Sequence, residues 1–273
     1  MAALYVIATP IGNLEDISLR ALRLLGQVKI IAAEDTRTTR NLLKAYNIKA
    51  PLTSYHEHNK QTKLKYLLNC LKEGDVALVS DAGMPGISDT GYELITAAID
   101  DGIPVVPVPG ASAVLAGLVA SGLPTDQFLY LGFLPRRSEE RKRLLQSVSE
   151  EPRTLIAFET PHRLLRSLRD IIEVLGDRQL AVCRELTKLH EEIYRSTVSQ
   201  AIEHFNNPRG EFTLVLKGKD VPKPEIDENI ELELHKLYKK GYSARKAVSE
   251  LSQMSGIPRN KLYQTWLKII KGD

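Results

Sequence analysis

The sequence predicts an α/β protein with two α/β domains followed by a small helical tail. Two observations lead to this prediction for the 273-residue chain. Apolar runs typical of buried strands alternate with segments of helical periodicity. Three of these runs also end in loops rich in Gly and Pro, at residues 9–13, 80–86 and 108–113. Such loops place helix starts and open backbone at the carboxyl edge of a parallel sheet, where α/β proteins bind ligands.

The first domain, residues 1–122, is predicted to contain a mostly parallel sheet. Five apolar runs have the character of strands, at residues 4–8, 29–33, 52–55, 76–79 and 105–108. Helical periodicity follows them, over residues 17–27, 38–46, 60–72, 92–101 and 111–121. The alternation of the two patterns indicates βαβ units and hence parallel strands. Gly122 and Pro124 stop the last helix, so we place a domain boundary there.

The second domain, residues 123–220, is predicted to contain a mixed sheet. Strand-like runs occupy residues 128–134, 154–158, 179–183, 192–196 and 212–216, with helices at 138–149 and 162–175. Several strands follow one another without a predicted helix between them, which favours antiparallel pairs. Residues 219–225 contain two prolines and are typical of a linker. The tail, residues 221–273, then has three short helices at 228–239, 243–254 and 259–270.

The composition is ordinary for a globular protein, with 43% hydrophobic and 26% charged residues. No apolar run approaches the roughly 20 residues that cross a bilayer. The chain also enters a strand almost at once, without the charged start and cleavage site of a secretory signal. We therefore expect a cytoplasmic protein without a membrane partner. Cys70 and Cys183 have no neighbouring sulfur or spaced ligands, so each is predicted to be a buried thiol.

Positive charge is concentrated at the end of the chain. The net charge is only +3. From Lys236 onward, however, the chain carries nine basic and two acidic residues. Such a surface suits a polyanion such as RNA, and a solvated helical face would have the same composition.

Glycine and proline give the three loops the properties of a preformed pocket. Gly12, Gly83 and Gly110 permit a ligand to approach the backbone closely, and the prolines lower the entropy cost of holding it. Turning the chain would also explain these residues in any single loop. The phosphate-binding pattern G-x-x-x-x-G-K-S/T and the dinucleotide-binding pattern G-x-G-x-x-G are absent from the sequence. The three loops together therefore predict a small-molecule pocket of another kind.

Eight short segments occur in order along the chain. They are PIGNL at 10–14, AEDTR at 33–37, SYHEHN at 54–59, SDAGMPGISD at 80–89, PVPGASA at 107–113, ETPHR at 159–163, RELTK at 184–188 and GEFT at 210–213. Together they resemble the ribosomal RNA small subunit methyltransferase I family, within the tetrapyrrole methylase superfamily. The resemblance runs from Leu4 to Leu216, and the tail matches more loosely.

The resemblance implies an S-adenosylmethionine-dependent enzyme in which two α/β domains clamp the cofactor in the cleft between them, usually as a homodimer. It also implies the reaction, 2′-O-methylation of a cytidine in the decoding region of 16S rRNA. The substrate would be 16S rRNA or the 30S ribosomal subunit. Carried over by motif, the cofactor contacts would be Pro10, Asp81, Met84, Ser112, Ala113, Phe158, Glu159, Leu186 and Thr213. The residue types fit, although helix capping would also explain Asp81 and Ser112.

Transfer to a ribose hydroxyl benefits from a base or from a cation that stabilises the forming alkoxide. Strand-end position makes Asp35 a candidate, and Lys188 is a second one in the other domain. We hypothesise that both face the acceptor ribose and that Arg37 contacts a phosphate. Salt bridges that hold the loops would explain the same residues.

RNA recognition would use distributed cations. One predicted cluster contains Arg136, Arg137, Arg141, Lys142 and Arg143, and another contains Lys239, Lys240, Arg245 and Lys246. Tyr238, Tyr242, Tyr263 and Trp266 are available for stacking on bases. Membership of the core of a small helical unit is the favoured interpretation for Trp266 and Tyr263. His56 and His58 could share a strand face, but no third ligand stands at a recognisable spacing, so we expect no metal.

Two other functions remain open. The helix–turn–helix pattern over residues 243–270 would suit a DNA-binding protein whose body senses a ligand. A small-molecule methylase that acts on a tetrapyrrole would share the superfamily's loops, although its substrate would need an enclosed pocket rather than a basic surface.

Overall fold

The structure is a computed structural model that describes residues 2–220 and 226–271. The chain divides into two compact units, Met1–Lys219 and Asp220–Asp273. Both predicted α/β segments lie in the first unit. Their division into two separate domains, 1–122 and 123–220, stays a prediction. Most of the predicted linker, residues 219–225, lies outside the described residues.

A five-stranded parallel sheet forms the amino-terminal part of the first unit. Its strands are β1 (Leu4–Ile7), β2 (Ile30–Ala33), β3 (Leu52–Ser54), β4 (Val76–Val79) and β5 (Val105–Val108), in the order β3-β2-β4-β1-β5. Its helices are α1 (Leu19–Leu25), α2 (Thr36–Ala45), α3 (Lys60–Glu73), α4 (Tyr92–Asp100) and α5 (Ala113–Ser121). Strands β2 and β4 are buried throughout, because packed apolar cores cover both faces of the sheet. Pro107 is tolerated because β5 is an edge strand.

A mixed five-stranded sheet follows in the same unit, as predicted. Its strands are β6 (Phe128–Phe133), β7 (Thr154–Glu159), β8 (Gln179–Arg184), β9 (Glu192–Thr197) and β10 (Phe212–Leu216), in the order β6-β7-β10-β8-β9. Strands β6 and β7 are parallel, and the other neighbouring pairs are antiparallel. Helices α6 (Ser138–Ser147), α7 (Pro161–Leu175) and α8 (Val198–His204) pack on one face. Helix α8 was not predicted from the sequence, although Thr197 and Gln200 form a capping box at its start.

Helix α5 connects the two sheets. It follows the edge strand of the first sheet and packs on the second face of the other sheet. The contact is made by Val114, Leu118, Ile156, Ala181 and Val215. A Cβ atom at Gly117 would lie 3.0 Å from Cγ2 of Thr213, so glycine lets α5 lie close to β10. The helix ends at Gly122, which has φ +77°, as the sequence predicts.

The second unit contains the three helices predicted for the tail. They are α9 (Glu228–Lys239), α10 (Ala244–Ser255) and α11 (Arg259–Lys271). Leu234, Leu251 and Trp266 belong to its core, which confirms the prediction for Trp266. The prediction of burial for Tyr263 is wrong, since 46% of this residue is exposed. None of the described helices has the length and apolar character that a membrane span requires.

Candidate functional site

A cavity of about 360 Å³ lies where the carboxyl edge of the first sheet meets the second sheet. The loops after β4 and β5 line one side of the cavity. The ends of β7 and β8, and the beginning of the antiparallel β10, line the other side. The predicted edge of the parallel sheet is therefore part of a two-sided pocket.

Nine of the predicted cofactor residues line this one cavity. They are Asp81, Gly83, Met84, Ser112, Ala113, Phe158, Glu159, Leu186 and Thr213. Pro10 and Gly12 line an adjoining cavity of about 430 Å³. Gly110 lines neither cavity, and a Cβ atom there would lie 3.0 Å from Cβ of Ala8, so this glycine serves packing between loops. The structure brings most of the predicted residues together, and the binding role of each stays a prediction.

Backbone hydrogen bonds join the first loop to the second. Thr9 donates to the carbonyl of Gly83 at 2.9 Å, and Gly83 donates back to Thr9 at 3.0 Å. Gly83 has φ +78°, a conformation that favours glycine. In the third loop, Ser112 caps α5 by accepting the N–H of Leu115 and also lines the cavity. The start of α5 thus lies at the cavity wall, where its N–H groups favour an anion.

The carboxyl groups of Glu34, Asp81 and Asp89 lie close together near the ends of β2 and β4. Oδ1 of Asp81 accepts the N–H of Asp35 at 3.1 Å, so Asp81 links two strand ends instead of capping a helix. Burial raises the pKa of Glu34 and of Asp81 above their ordinary values. Burial and the negative charge of Glu34 raise the pKa of Asp89 to about 7. Asp81 and Asp89 both line the cavity, which therefore has an acidic side.

On the opposite side, the carboxylate of Glu159 is buried and held by protein groups. Nη2 of Arg163 lies 2.6 Å from its Oε1, which also accepts the N–H of Thr160 at 2.7 Å. The hydroxyl of Ser167 donates to Oε2. These contacts fix the turn from β7 into α7. Glu159 thus shapes the cavity wall, and its oxygens are already engaged by hydrogen-bond donors of the protein.

Aromatic side chains form the apolar part of the cavity wall. Phe158 packs edge-on against Tyr130 and Phe133, with ring-centroid distances of 5.3 and 5.4 Å. Phe133, Met84 and Leu186 also line the cavity. This surface suits a planar aromatic or thioether group.

Lys188 belongs to the loop after β8 and lies against Gly12 of the first loop. Its Nζ is 3.0 Å from Oε1 of Glu185 and 3.0 Å from Oε2 of Glu211. A Cβ atom at Gly12 would lie 2.4 Å from Cγ of Lys188, so only glycine permits this approach. Lys188 lines neither of the two cavities. Its predicted catalytic role stays a prediction, and its contacts are those of an ion pair that joins the loops.

Asp35 is also engaged by other protein groups. Nη2 of Arg37 lies 2.6 Å from Oδ2 of Asp35, and Asp35 caps α2 by accepting the N–H of Arg37. These hydrogen bonds lower the pKa of Asp35 to about 2. Such a weakly basic group takes up a proton poorly at neutral pH. The catalytic role of Asp35 and the phosphate contact of Arg37 stay predictions.

The predicted RNA-binding cations differ in their exposure. Arg136 and Arg137 are exposed on the first unit. Arg141 is 3% exposed and pairs with Asp170, so its place in a surface cluster is wrong. On the second unit the four predicted cations are exposed: Lys239, Lys240, Arg245 and Lys246. Their contact with RNA stays a prediction.

Three residues that line the cavity were not predicted as site residues: Asp89, Phe133 and Glu211. Asp89 is the last residue of the segment SDAGMPGISD at 80–89, whereas Phe133 and Glu211 reach the cavity from the second sheet. Cys70 and Cys183 are both buried free thiols, as predicted. Within residues 2–220 and 226–271, no group of three or more His, Cys, Asp or Glu residues could hold a metal ion.

Comparison with known proteins identifies the family. Residues 3–202 match the family model described as Tetrapyrrole (Corrin/Porphyrin) Methylases. A relative from Synechocystis sp., called ribosomal RNA small subunit methyltransferase I, is 47% identical over 98% of this chain and 99% of its own length. A relative of the same name from Thermotoga maritima is 51% identical over 81% of this chain and 100% of its own length.

A solved structure supports the fold. Uroporphyrin-III C-methyltransferase from Thermus thermophilus, complexed with S-adenosylhomocysteine, superposes with a TM-score of 0.56 at 19% identity. The match covers 79% of this chain and 97% of that one.

The fold and the two-sided cavity define a methyltransferase of the tetrapyrrole methylase class, which depends on S-adenosylmethionine. Sequence identities of 47% and 51% to the two relatives, over 98% and 81% of this chain, identify the family within that class. The chain belongs to the ribosomal RNA small subunit methyltransferase I family.

Proposed function

We propose that the protein transfers a methyl group from S-adenosylmethionine to the 2′-hydroxyl of a cytidine in the decoding region of 16S rRNA. The observation that carries the proposal is the convergence of nine predicted cofactor residues on one cavity, in a chain that aligns over 98% of its length with a relative named as a small-subunit rRNA methyltransferase. The finer points, the cytidine and its 2′-oxygen, rest on the sequence resemblance.

The residues of the cavity fit the cofactor in size and chemistry. Its aromatic and thioether surface suits the adenine, and the start of α5 at Ser112 suits the carboxylate of the methionine moiety. Asp81 can accept hydrogen bonds from hydroxyl or ammonium groups. When bound, the cofactor supplies a methyl group on a sulfonium that a nucleophilic oxygen can take. The protein then has to align the acceptor and exclude water, which supplies much of the acceleration of such a displacement.

A polyanionic substrate is supported by the exposed cations. Arg136 and Arg137 lie on the first unit, and Lys239, Lys240, Arg245 and Lys246 lie on the second. Phosphate contacts of this kind release counterions, so RNA affinity should fall steeply with salt. We propose that the RNA is reached in the cytoplasm as 16S rRNA or as the 30S subunit.

A homodimer is part of the proposal. Leu115 and Val119 lie one turn apart on α5, and 53% and 75% of these apolar residues are exposed. Sedimentation of the wild type and of Val119→Glu tests this point. The wild type should sediment as a dimer and the variant as a monomer. A monomeric wild type at micromolar concentration would exclude the dimer.

Incubation with methyl-labelled S-adenosylmethionine tests the function. The acceptors are 30S subunits, naked 16S rRNA, a porphyrinoid and duplex DNA. Label is expected in one of the two RNA samples, and alkaline digestion should leave one uncleaved linkage, because a 2′-O-methyl group blocks cleavage on its 3′ side. Label in the porphyrinoid would favour a tetrapyrrole methylase. Salt-dependent binding to DNA without any transfer would favour the DNA-binding alternative.

A further inference from the structure

Asp89 is a cavity residue that the sequence resemblance leaves without a role. It lies in the loop between β4 and α4 and is half-buried at the cavity wall. It does not cap α4, whose N-cap residue is Gly91. A hydrogen bond with Ser80 is the contact that favours its charged form.

Within the described part of the chain, no Lys or Arg forms an ion pair that would hold Asp89 as a fixed carboxylate. The titratable groups that face it are Glu34, Asp81 and Tyr130. Among the ion pairs formed by the described residues, none includes Asp89. Asp35, by contrast, is held by Arg37. Asp89 is thus an acid whose charge the protein leaves uncompensated at the edge of a cavity.

The loop that carries Asp89 is held in a strained conformation. Ser88, directly before it, has φ +62°, which is uncommon for a residue other than glycine. The Ser88 hydroxyl lies 2.7 Å from the hydroxyl of Tyr130 on β6. A contact from the second sheet therefore fixes the backbone next to Asp89, as expected where a side chain must keep one orientation.

From this geometry we infer that Asp89 is the general base that takes the proton of the acceptor hydroxyl. The assignment rests on the proposed function. In the step, the oxygen–hydrogen bond of the hydroxyl breaks and its proton passes to the Asp89 carboxylate. The oxygen forms a bond to the methyl carbon, and the electron pair of the broken carbon–sulfur bond stays on the sulfur, which leaves a neutral thioether.

The half-buried position gives Asp89 a basicity suited to this task. Its pKa of about 7 lies near the operating pH, where a general base is most effective. Because Glu34 and Asp81 titrate close by, the group should be observed as part of a coupled set. Tyr130 is a positioning residue that acts through Ser88.

The test compares wild type with Asp89→Asn and Asp89→Glu, and uses Asp101→Asn, an exposed change beyond the end of α4, as the matched control. For wild type, kcat/KM for RNA should rise with pH to a plateau with a midpoint near 7. Asp89→Asn should lower kcat by at least about 100-fold and remove this pH dependence. Asp89→Glu should restore part of the rate, and Asp101→Asn should behave as wild type.

Two measurements independent of activity accompany the rates. Calorimetry should find that Asp89→Asn still binds S-adenosylhomocysteine. Thermal unfolding should give Asp89→Asn a higher Tm than wild type at pH 8, and this difference should shrink as the pH falls and vanish below the ordinary pKa of 3.8. The sign follows because the folded-state pKa of Asp89 lies above its ordinary value of 3.8, so stability is lost as the pH rises toward 7.

The outcomes separate the two proposals. Asp89→Asn with more than a tenth of the wild-type kcat, or with an unchanged pH profile, overturns the assignment of Asp89 alone. A wild-type protein that binds S-adenosylhomocysteine but methylates no RNA overturns the proposed function, and the assignment falls with it.

Discussion

The two sides of the cavity differ in whether their carboxylates form ion pairs. On the first-sheet side, Asp81 and Asp89 face the cavity without a Lys or Arg partner among the described residues. On the second-sheet side, Glu159 pairs with Arg163, and Glu211 pairs with Lys188. A carboxylate with a partner stabilises a loop, whereas one without a partner keeps its charge available for a ligand. The chemistry of this site is therefore expected on the first-sheet side.

The largest stability effect should come from breaking the buried pair. Arg163→Ala leaves the fully buried Glu159 carboxylate without its cation, which should lower the free energy of unfolding by about 3–5 kcal/mol. Denaturant unfolding measures this loss. Arg166→Ala, an exposed change on the same helix, should stay within about 0.5 kcal/mol of wild type. Equal effects of the two variants would mean that the pair does not hold the turn.

A smaller effect, on binding and not on folding, should follow from a change on the first-sheet side. Asp81→Asn removes a carboxylate that burial already disfavours, so the fold should not be weakened. S-adenosylhomocysteine affinity should fall about tenfold, which is about 1.4 kcal/mol. Calorimetry and thermal unfolding on the same sample separate the two quantities. A lower Tm with normal affinity would assign Asp81 to the structural group.

The smallest effect should come from the solvent-exposed pair that joins the loops. Lys188→Ala breaks contacts to Glu185, which is partly buried, and to Glu211, which is exposed. Such pairs contribute about 0–1 kcal/mol, so unfolding should change little. A 100-fold loss of kcat with a normal Tm would instead support the catalytic role predicted from the sequence.

The sequence was sufficient for most of the fold because its elements are locally specified. Strands β2 and β4 are continuous apolar runs, and Gly122 ends α5 in the left-handed conformation that glycine favours. Helix α8 was missed because its seven residues follow β9 directly, without a loop that marks the change from strand to helix. The packing of α5 on the second sheet has no local signal, since it depends on a glycine facing a distant strand.

The site was predicted less completely, for a physical reason. Motif position identified which loops reach the cavity, as the convergence of Asp81, Ser112 and Thr213 confirms. It could not indicate which carboxylates acquire partners on folding. Asp35 and Lys188 were catalytic candidates in the sequence, and in the structure both are engaged in ion pairs. Asp89 looked like a loop residue, and folding places it half-buried at the cavity wall.

Calorimetry with S-adenosylhomocysteine tests the central claim, that the cofactor occupies the cavity between the two sheets. The comparison uses wild type, Ala113→Trp in the cavity wall and Ile99→Trp at an exposed position of α4. Wild type and Ile99→Trp should bind with similar affinity, and Ala113→Trp should lose binding while staying folded. Equal binding by all three proteins, or none by the wild type, would contradict the account.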